Sequence, residues 1–166
     1  GTVVYNDGAS YAGEWFRDLR HGRGTYTYKD GSSYTGLYEY NLLNDPNAVV
    51  IYPDGSTYNG GFKNDVQHGN AIETYKDGTV IKLSYKYGLR DGKYYERGPA
   101  GEYHYNYVLG VLEGQQKEIT NGTTYEYKTE NGLSVGKLKK TISDTKEVFY
   151  CDYIDFRESN CNLSQD

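Results

Sequence analysis

Three histidines and two cysteines are the residues of this 166-residue chain best suited to nucleophilic or metal chemistry: His21, His68, His104, Cys151 and Cys161. His21 and His68 both stand immediately before a glycine, at equivalent places in a repeated pattern, so their positions read as structural. No His pairs with Cys or Asp at the spacing of a catalytic triad, and no His or Cys cluster has zinc spacing. The glycines open no helix, so no phosphate cradle is indicated. The recurrent Asp of Asp-Gly fits turn chemistry better than a calcium loop. Catalytic, cofactor-binding and metal-binding residues are therefore assigned to none, and the chain is read as a non-enzyme. The cysteines, ten residues apart, could pair, but intracellular free thiols are the simpler reading. Two Asn-x-Ser/Thr triplets, at Asn121 and Asn162, carry little weight.

The side chains with the most binding chemistry are instead the tyrosines. The chain holds 21 Tyr and 21 Gly against 4 Phe, 1 Trp and no Met. Aliphatic core formers are scarce, yet each aromatic ring can bury on the order of 150–250 Å² while its polar tip stays wet. That balance excludes a thick core and favours a thin, turn-rich β structure. A net charge of −5 gives no basic face for nucleic acid. No apolar run approaches the ~18–20 residues of a membrane span, and no signal peptide opens the chain. A chain that begins with Gly and lacks Met reads as a piece of a longer protein.

The elements that must position these rings follow from a repeat. Asp-Gly or its equivalent recurs at Gly8, Gly31, Gly55, Gly78, Gly101 and Gly122, at intervals of 21 to 24 residues. A second mark follows each, at Gly22, Pro46, Gly69, Gly92, Gly114 and Gly136, and is read as the opposite turn. Two marks at one period indicate about six hairpins. Pro53 fixes φ near −65° and so excludes a type I′ turn in Pro53-Asp-Gly. A three-residue loop fits: a type I turn, then Gly in the left-handed region. That loop sets Tyr26 opposite Tyr34, Val50 opposite Tyr58 and Val3 opposite Tyr11. Alternate residues then share a packed face, with Tyr11, Gly13, Trp15, Tyr34, Gly36, Tyr58, Gly60 and Phe62 as the structural core. Rings are expected over Gly13, Gly36 and Gly60. The fold class is all-β: an elongated, twisted single-layer array of antiparallel β-hairpins over 1–147, with a capping strand and a polar tail over 148–166.

A thin sheet cannot hide so many rings. Tyr26, Tyr28, Tyr38, Tyr52 and Tyr75 are the candidates for a partner-binding face. Lys137, Lys139, Lys140 and Lys146 could meet acidic lipid or protein, but alternate lysines on an edge strand also block edge pairing, and that reading is preferred. Exposed edges leave a homodimer through edge strands or array ends open.

The unit Tyr11-Ala-Gly13-Glu-Trp15 … His21-Gly22-Arg-Gly24-Thr-Tyr26-Thr-Tyr28-Lys-Asp30-Gly31-Ser-Ser-Tyr34 resembles a MORN repeat (membrane occupation and recognition nexus). The resemblance spans about residues 5–146 and weakens after the third repeat. It implies a scaffold that binds a protein partner, without chemistry in the repeats, inside the cell, with attachment to a phospholipid membrane as a further role. It also implies an alternative: the N-terminal region of a SET-domain lysine methyltransferase, recruiting substrate for a catalytic domain absent from this chain. A lipid kinase with such an array in front is a third context.

Overall fold

A computed structural model of the chain describes residues 1–154 and 157–164. No helix occurs among the described residues, and the fold is all-β. The strands of the first part are β1 (Thr2–Val4), β2 (Ser10–Phe16), β3 (Leu19–Thr27), β4 (Ser33–Glu39), β5 (Leu42–Leu43), β6 (Asp45–Ile51), β7 (Thr57–Lys63), β8 (Val66–Thr74) and β9 (Val80–Lys86). There follow β10 (Leu89–Arg90), β11 (Gly92–Gly98), β12 (Gly101–Val108), β13 (Val111–Leu112), β14 (Gly114–Thr120), β15 (Thr123–Glu130), β16 (Leu133–Ile142), β17 (Val148–Ile154) and β18 (Arg157–Leu163). They group into two compact units, Gly1–Leu89 and Arg90–Asp166, where the repeat alone suggests one array and a tail.

In the first unit the strands pair antiparallel in chain order from β1 to β9. The Asp-Gly loops have the geometry their sequence dictates. Gly8, Gly31, Gly55 and Gly78 sit at φ of 86–90°. Each donates its N–H to the carbonyl three residues back: Tyr5, Tyr28, Tyr52 and Tyr75. The register follows as expected, with Val3 opposite Tyr11, Tyr26 opposite Tyr34 and Val50 opposite Tyr58.

The loop aspartates lock these turns. Asp30 Oδ1 accepts from the Ser32 amide (2.9 Å) and hydroxyl (2.7 Å), Asp54 Oδ1 from those of Ser56 (2.9 and 2.6 Å), and Asp77 Oδ1 from Thr79 N (2.8 Å). Bonds from the Ser32 hydroxyl, the Ser56 hydroxyl and the Thr79 amide hold the three carboxyls below the usual carboxylate range. A depressed folded-state pKa stabilises the fold above the unfolded value, about 3.9 for Asp, and that contribution is lost as pH falls through the folded pKa. The urea midpoint is therefore expected to drop as pH is lowered from about 5 to about 2. Asp54→Asn should flatten this acid limb; an unchanged limb in that variant contradicts the assignment.

The opposite turns are not at the glycines that mark them in the sequence. They are two-residue turns with positive φ at both positions: Arg17-Asp18, Tyr40-Asn41 and Asn64-Asp65. That is type I′ geometry, which matches the strand twist. Gly22 and Gly69, at φ of 68° and 84°, instead lie within β3 and β8. Register shifts stand across from them at Gly13/Trp15 and Gly60/Phe62. In the second repeat the same role falls to Asp45-Pro46, where Asp45 Oδ2 accepts from Leu37 N (2.8 Å) and Oδ1 from Asn47 N (2.8 Å).

The Tyr40-Asn41 and Asn64-Asp65 turns each clasp the preceding repeat. Asn41 N–H donates to Arg20 O (3.0 Å) while Asn41 Oδ1 accepts from Arg20 N (2.8 Å). Asp65 does the same to Leu43, at 3.1 and 2.7 Å.

The packed face of this unit is built on Tyr11, Tyr38, Leu43, Ala48, Val50 and Tyr58, all buried. Tyr11 crosses Gly13 and Gly24, and Tyr58 approaches Gly60. Gly36 faces Leu43, the Asp45 carboxylate and Ala48 instead of a ring. Trp15 is 37% exposed, outside the core assigned to it. Only the three-residue β1 lies beyond β2, so the indole packs edge-on to Tyr11 (5.1 Å) and donates to Gly1 O (3.2 Å) at the rim.

In the second unit the strands again pair antiparallel from β11 to β18. Its core is more polar. Gln116 is buried, accepts from Asn106 N (2.9 Å) and donates to Thr129 Oγ1 (2.8 Å). Three sequence expectations change here. β16, which carries Lys137, Lys139 and Lys140, is paired on both sides by β15 and β17, so these lysines do not guard an edge. Lys139 pairs with Glu126 (3.1 Å), and Lys140 sits 5.6 Å over the Tyr125 ring. Residues 158–163, expected as polar tail, belong to β18, which pairs with β17. That pairing brings Cys151 and Cys161 to a Cα separation of 4.0 Å as a disulfide, not as free thiols. Residues 155, 156, 165 and 166 of the expected cap and tail lie outside the described residues.

Candidate functional site: a tyrosine-lined groove

A groove of about 420 Å³ opens on the packed face of the first unit. Buried Tyr38 and Leu43 belong to its floor. Tyr26, Tyr28, Tyr34, Tyr52 and Phe62 line it, and Arg20, Asp65 and Gln67 supply its polar groups. The rings stand edge to face: Tyr26–Tyr28 at 4.7 Å, Tyr28–Tyr34 at 5.3 Å and Tyr34–Phe62 at 6.2 Å. Such pairs favour T-shaped contact because positive ring edges meet negative faces.

Arg20, Leu43 and Gln67 are the same repeat position, two residues past the type I′ turn, which aims each side chain onto the packed face. The Arg20 guanidinium lies 5.0 Å from the Tyr26 ring centroid, 5.2 Å from Tyr38 and 5.8 Å from Tyr11. It also donates to Asn41 O. Among the described residues no carboxylate forms an ion pair with it, so its charge is held by ring faces.

The tyrosine hydroxyls divide into two groups. Those of the structural rings are committed to backbone carbonyls: Tyr11 to Glu14 O (3.1 Å), Tyr38 to Tyr34 O (3.1 Å) and Tyr58 to Gly61 O (3.0 Å). Those of Tyr26, Tyr28, Tyr34 and Tyr52 have no hydrogen-bond partner among the described residues, and all four rings border the groove. Burial pushes each of these four phenols above its ordinary pKa, with the Arg20 charge a smaller opposing influence at Tyr26 and Tyr28. They stay protonated at neutral pH and can donate.

Of the five tyrosines singled out in the sequence, Tyr26, Tyr28, Tyr38 and Tyr52 come together here. Tyr38 does so as floor, with its hydroxyl committed. Tyr75 stands apart, donating to Glu73 Oε2 at 2.8 Å. Sequence reasoning misses Arg20 and Asp65 and places Tyr34 only in the core. The signal for Arg20 is its equivalence to Leu43 and Gln67 within the repeat.

The second unit has its own groove, of about 460 Å³, bordered by Tyr94, Tyr95 and Tyr105. Here hydroxyls are taken up by carboxylates: Tyr94 by Glu96, and Tyr105 (2.9 Å) by Glu118, which also accepts from Tyr127 (2.7 Å). The histidines are dispersed. His21 packs against Phe16 and Tyr40, His68 against Tyr87, and His104 Nε2 lies 2.7 Å from Glu102. No helix of the described residues is long and apolar enough to cross a membrane.

Residues 11–33 and 58–80 match the family model of the MORN repeat. These segments carry Arg20, Tyr26 and Tyr28, and Phe62, Asp65 and Gln67, which line the groove. Among solved structures, the wild-type TCP10 domain of Danio rerio CPAP is similar over 99% of this chain and 100% of that chain, at 16% identity. Its TM-score of 0.27 lends that likeness no weight. No curated protein matches the chain.

Proposed function

We propose that the chain is a non-catalytic scaffold whose first unit holds an extended segment of a protein partner in the tyrosine groove. One observation carries the reading: four protonated hydroxyls border a concave surface and have no internal partner. Tyrosine gives rigid contact area at low entropic cost together with a polar tip, the combination that recognition surfaces favour. The MORN match at 11–33 and 58–80 supports an interaction role for the same unit.

The test uses the full chain with Tyr28→Phe and Tyr52→Phe combined. Neither hydroxyl bonds within the protein, so the variant should unfold at the same urea concentration as the parent. Proteins retained by the parent in affinity capture should be lost or markedly reduced with the variant. An identical set of retained proteins contradicts the proposal.

A further inference from the structure

We infer that the segment held in the groove is proline-rich and binds in the polyproline II conformation. This inference rests on the groove being a protein-binding site, and adds which chemistry fits it.

The backbone around the groove excludes strand addition. β3 is paired with both β2 and β4, β4 with β3 and β6, and β6 with β4 and β7. Their carbonyls are used in the ladders, so an incoming strand would find no free edge. An ordinary extended peptide would bury N–H groups without acceptors, which costs free energy for each group.

The polar groups point the same way. Tyr26, Tyr28, Tyr34 and Tyr52 bring four uncommitted O–H donors. Acceptors are fewer: Asp65 Oδ1 already accepts the Leu43 amide, which leaves Asp65 Oδ2 and the Gln67 side-chain carbonyl. With donors in excess, a matching ligand should present more carbonyl oxygens than N–H groups. Proline has no N–H, and polyproline II makes no internal hydrogen bonds, so its carbonyls remain open to donors. Edge-to-face rings such as Tyr26–Tyr28 and Tyr28–Tyr34 leave ring faces on which pyrrolidines can pack, as in other aromatic-lined sites for this conformation. The ligand arrives already ordered, which lowers the entropic cost of binding.

Fluorescence anisotropy of labelled decapeptides with the full chain tests this. Three probes are used: decaproline, a Gly-Ser decamer and a proline-free Thr-Gln decamer. The expected result is saturable binding of decaproline, weakened about tenfold in the Tyr28→Phe, Tyr52→Phe variant by loss of two hydrogen bonds, with neither other decamer bound. Absence of decaproline binding overturns the inference, as does binding that the variant leaves unchanged. If the Thr-Gln decamer alone binds, and the variant weakens it, the proline inference falls while the groove remains a protein site. If no decamer binding responds to the variant, both fall.

Discussion

Tyr58→Ala is expected to destabilise the first unit by about 3–5 kcal/mol, the range for removing a fully buried aromatic side chain. Tyr58 has no exposed surface, meets Phe62 at 5.3 Å and Tyr85 at 6.2 Å, and ties its hydroxyl to Gly61 O. Truncation opens a cavity under a sheet that has no second layer to collapse into it, and leaves a buried carbonyl without its donor. Trp15 is the informative comparison. It is the larger side chain and sits in the first row of the repeat, yet it is 37% exposed at the rim. Trp15→Ala should cost only about 1–2 kcal/mol. Urea unfolding of both variants measures the difference, and equal losses would contradict the placement of the aromatic core.

Gly24→Ala should cost about 3 kcal/mol, at the upper end for overpacking. A methyl at this position would fall onto the Tyr11 ring and hydroxyl. Tyr11 cannot yield easily, because it is fully buried, bonded to Glu14 O, and flanked by Trp15 and Tyr38. Gly55→Ala separates this steric effect from backbone strain. A methyl there meets no atom within 4 Å, so its cost is limited to the φ of +86°, about 1–2 kcal/mol. A Gly24→Ala loss no larger than that of Gly55→Ala would mean the ring does not lie across Gly24.

The parts of this fold that could be read from the sequence are those decided locally. Asp-Gly fixes a turn through its own side chain and its own φ, and the turn fixes which tyrosines oppose each other. The opposite turns could not be read, because their positive φ values fall on Arg17, Asp18, Tyr40 and Asn41. At Tyr40-Asn41 the conformation is held by the clasp that Asn41 makes with Arg20, a residue of the preceding repeat. The disulfide was hidden for a related reason: it depends on β18 pairing with β17, in a segment whose polar composition suggests a tail.

The candidate site was half legible. Period-two spacing brings Tyr26, Tyr28 and Tyr52 forward as surplus rings. Whether a given hydroxyl is committed is a tertiary property, so the sequence alone could not separate Tyr34 from Tyr58 or Tyr28 from Tyr75. Arg20 gains its role from three rings on three strands, Tyr11, Tyr26 and Tyr38, and Asp65 from the groove it borders.

The division of hydroxyls between fold and groove is the central claim, and one paired measurement tests it: urea midpoint and partner capture for two phenylalanine sets in the full chain. Set one replaces Tyr26, Tyr28, Tyr34 and Tyr52; set two replaces Tyr11 and Tyr58. The account predicts that set one keeps the parental midpoint and loses the partner. Set two should lose stability, by about 1 kcal/mol for each hydrogen bond removed. A destabilised set one that still retains the parental partners would contradict it.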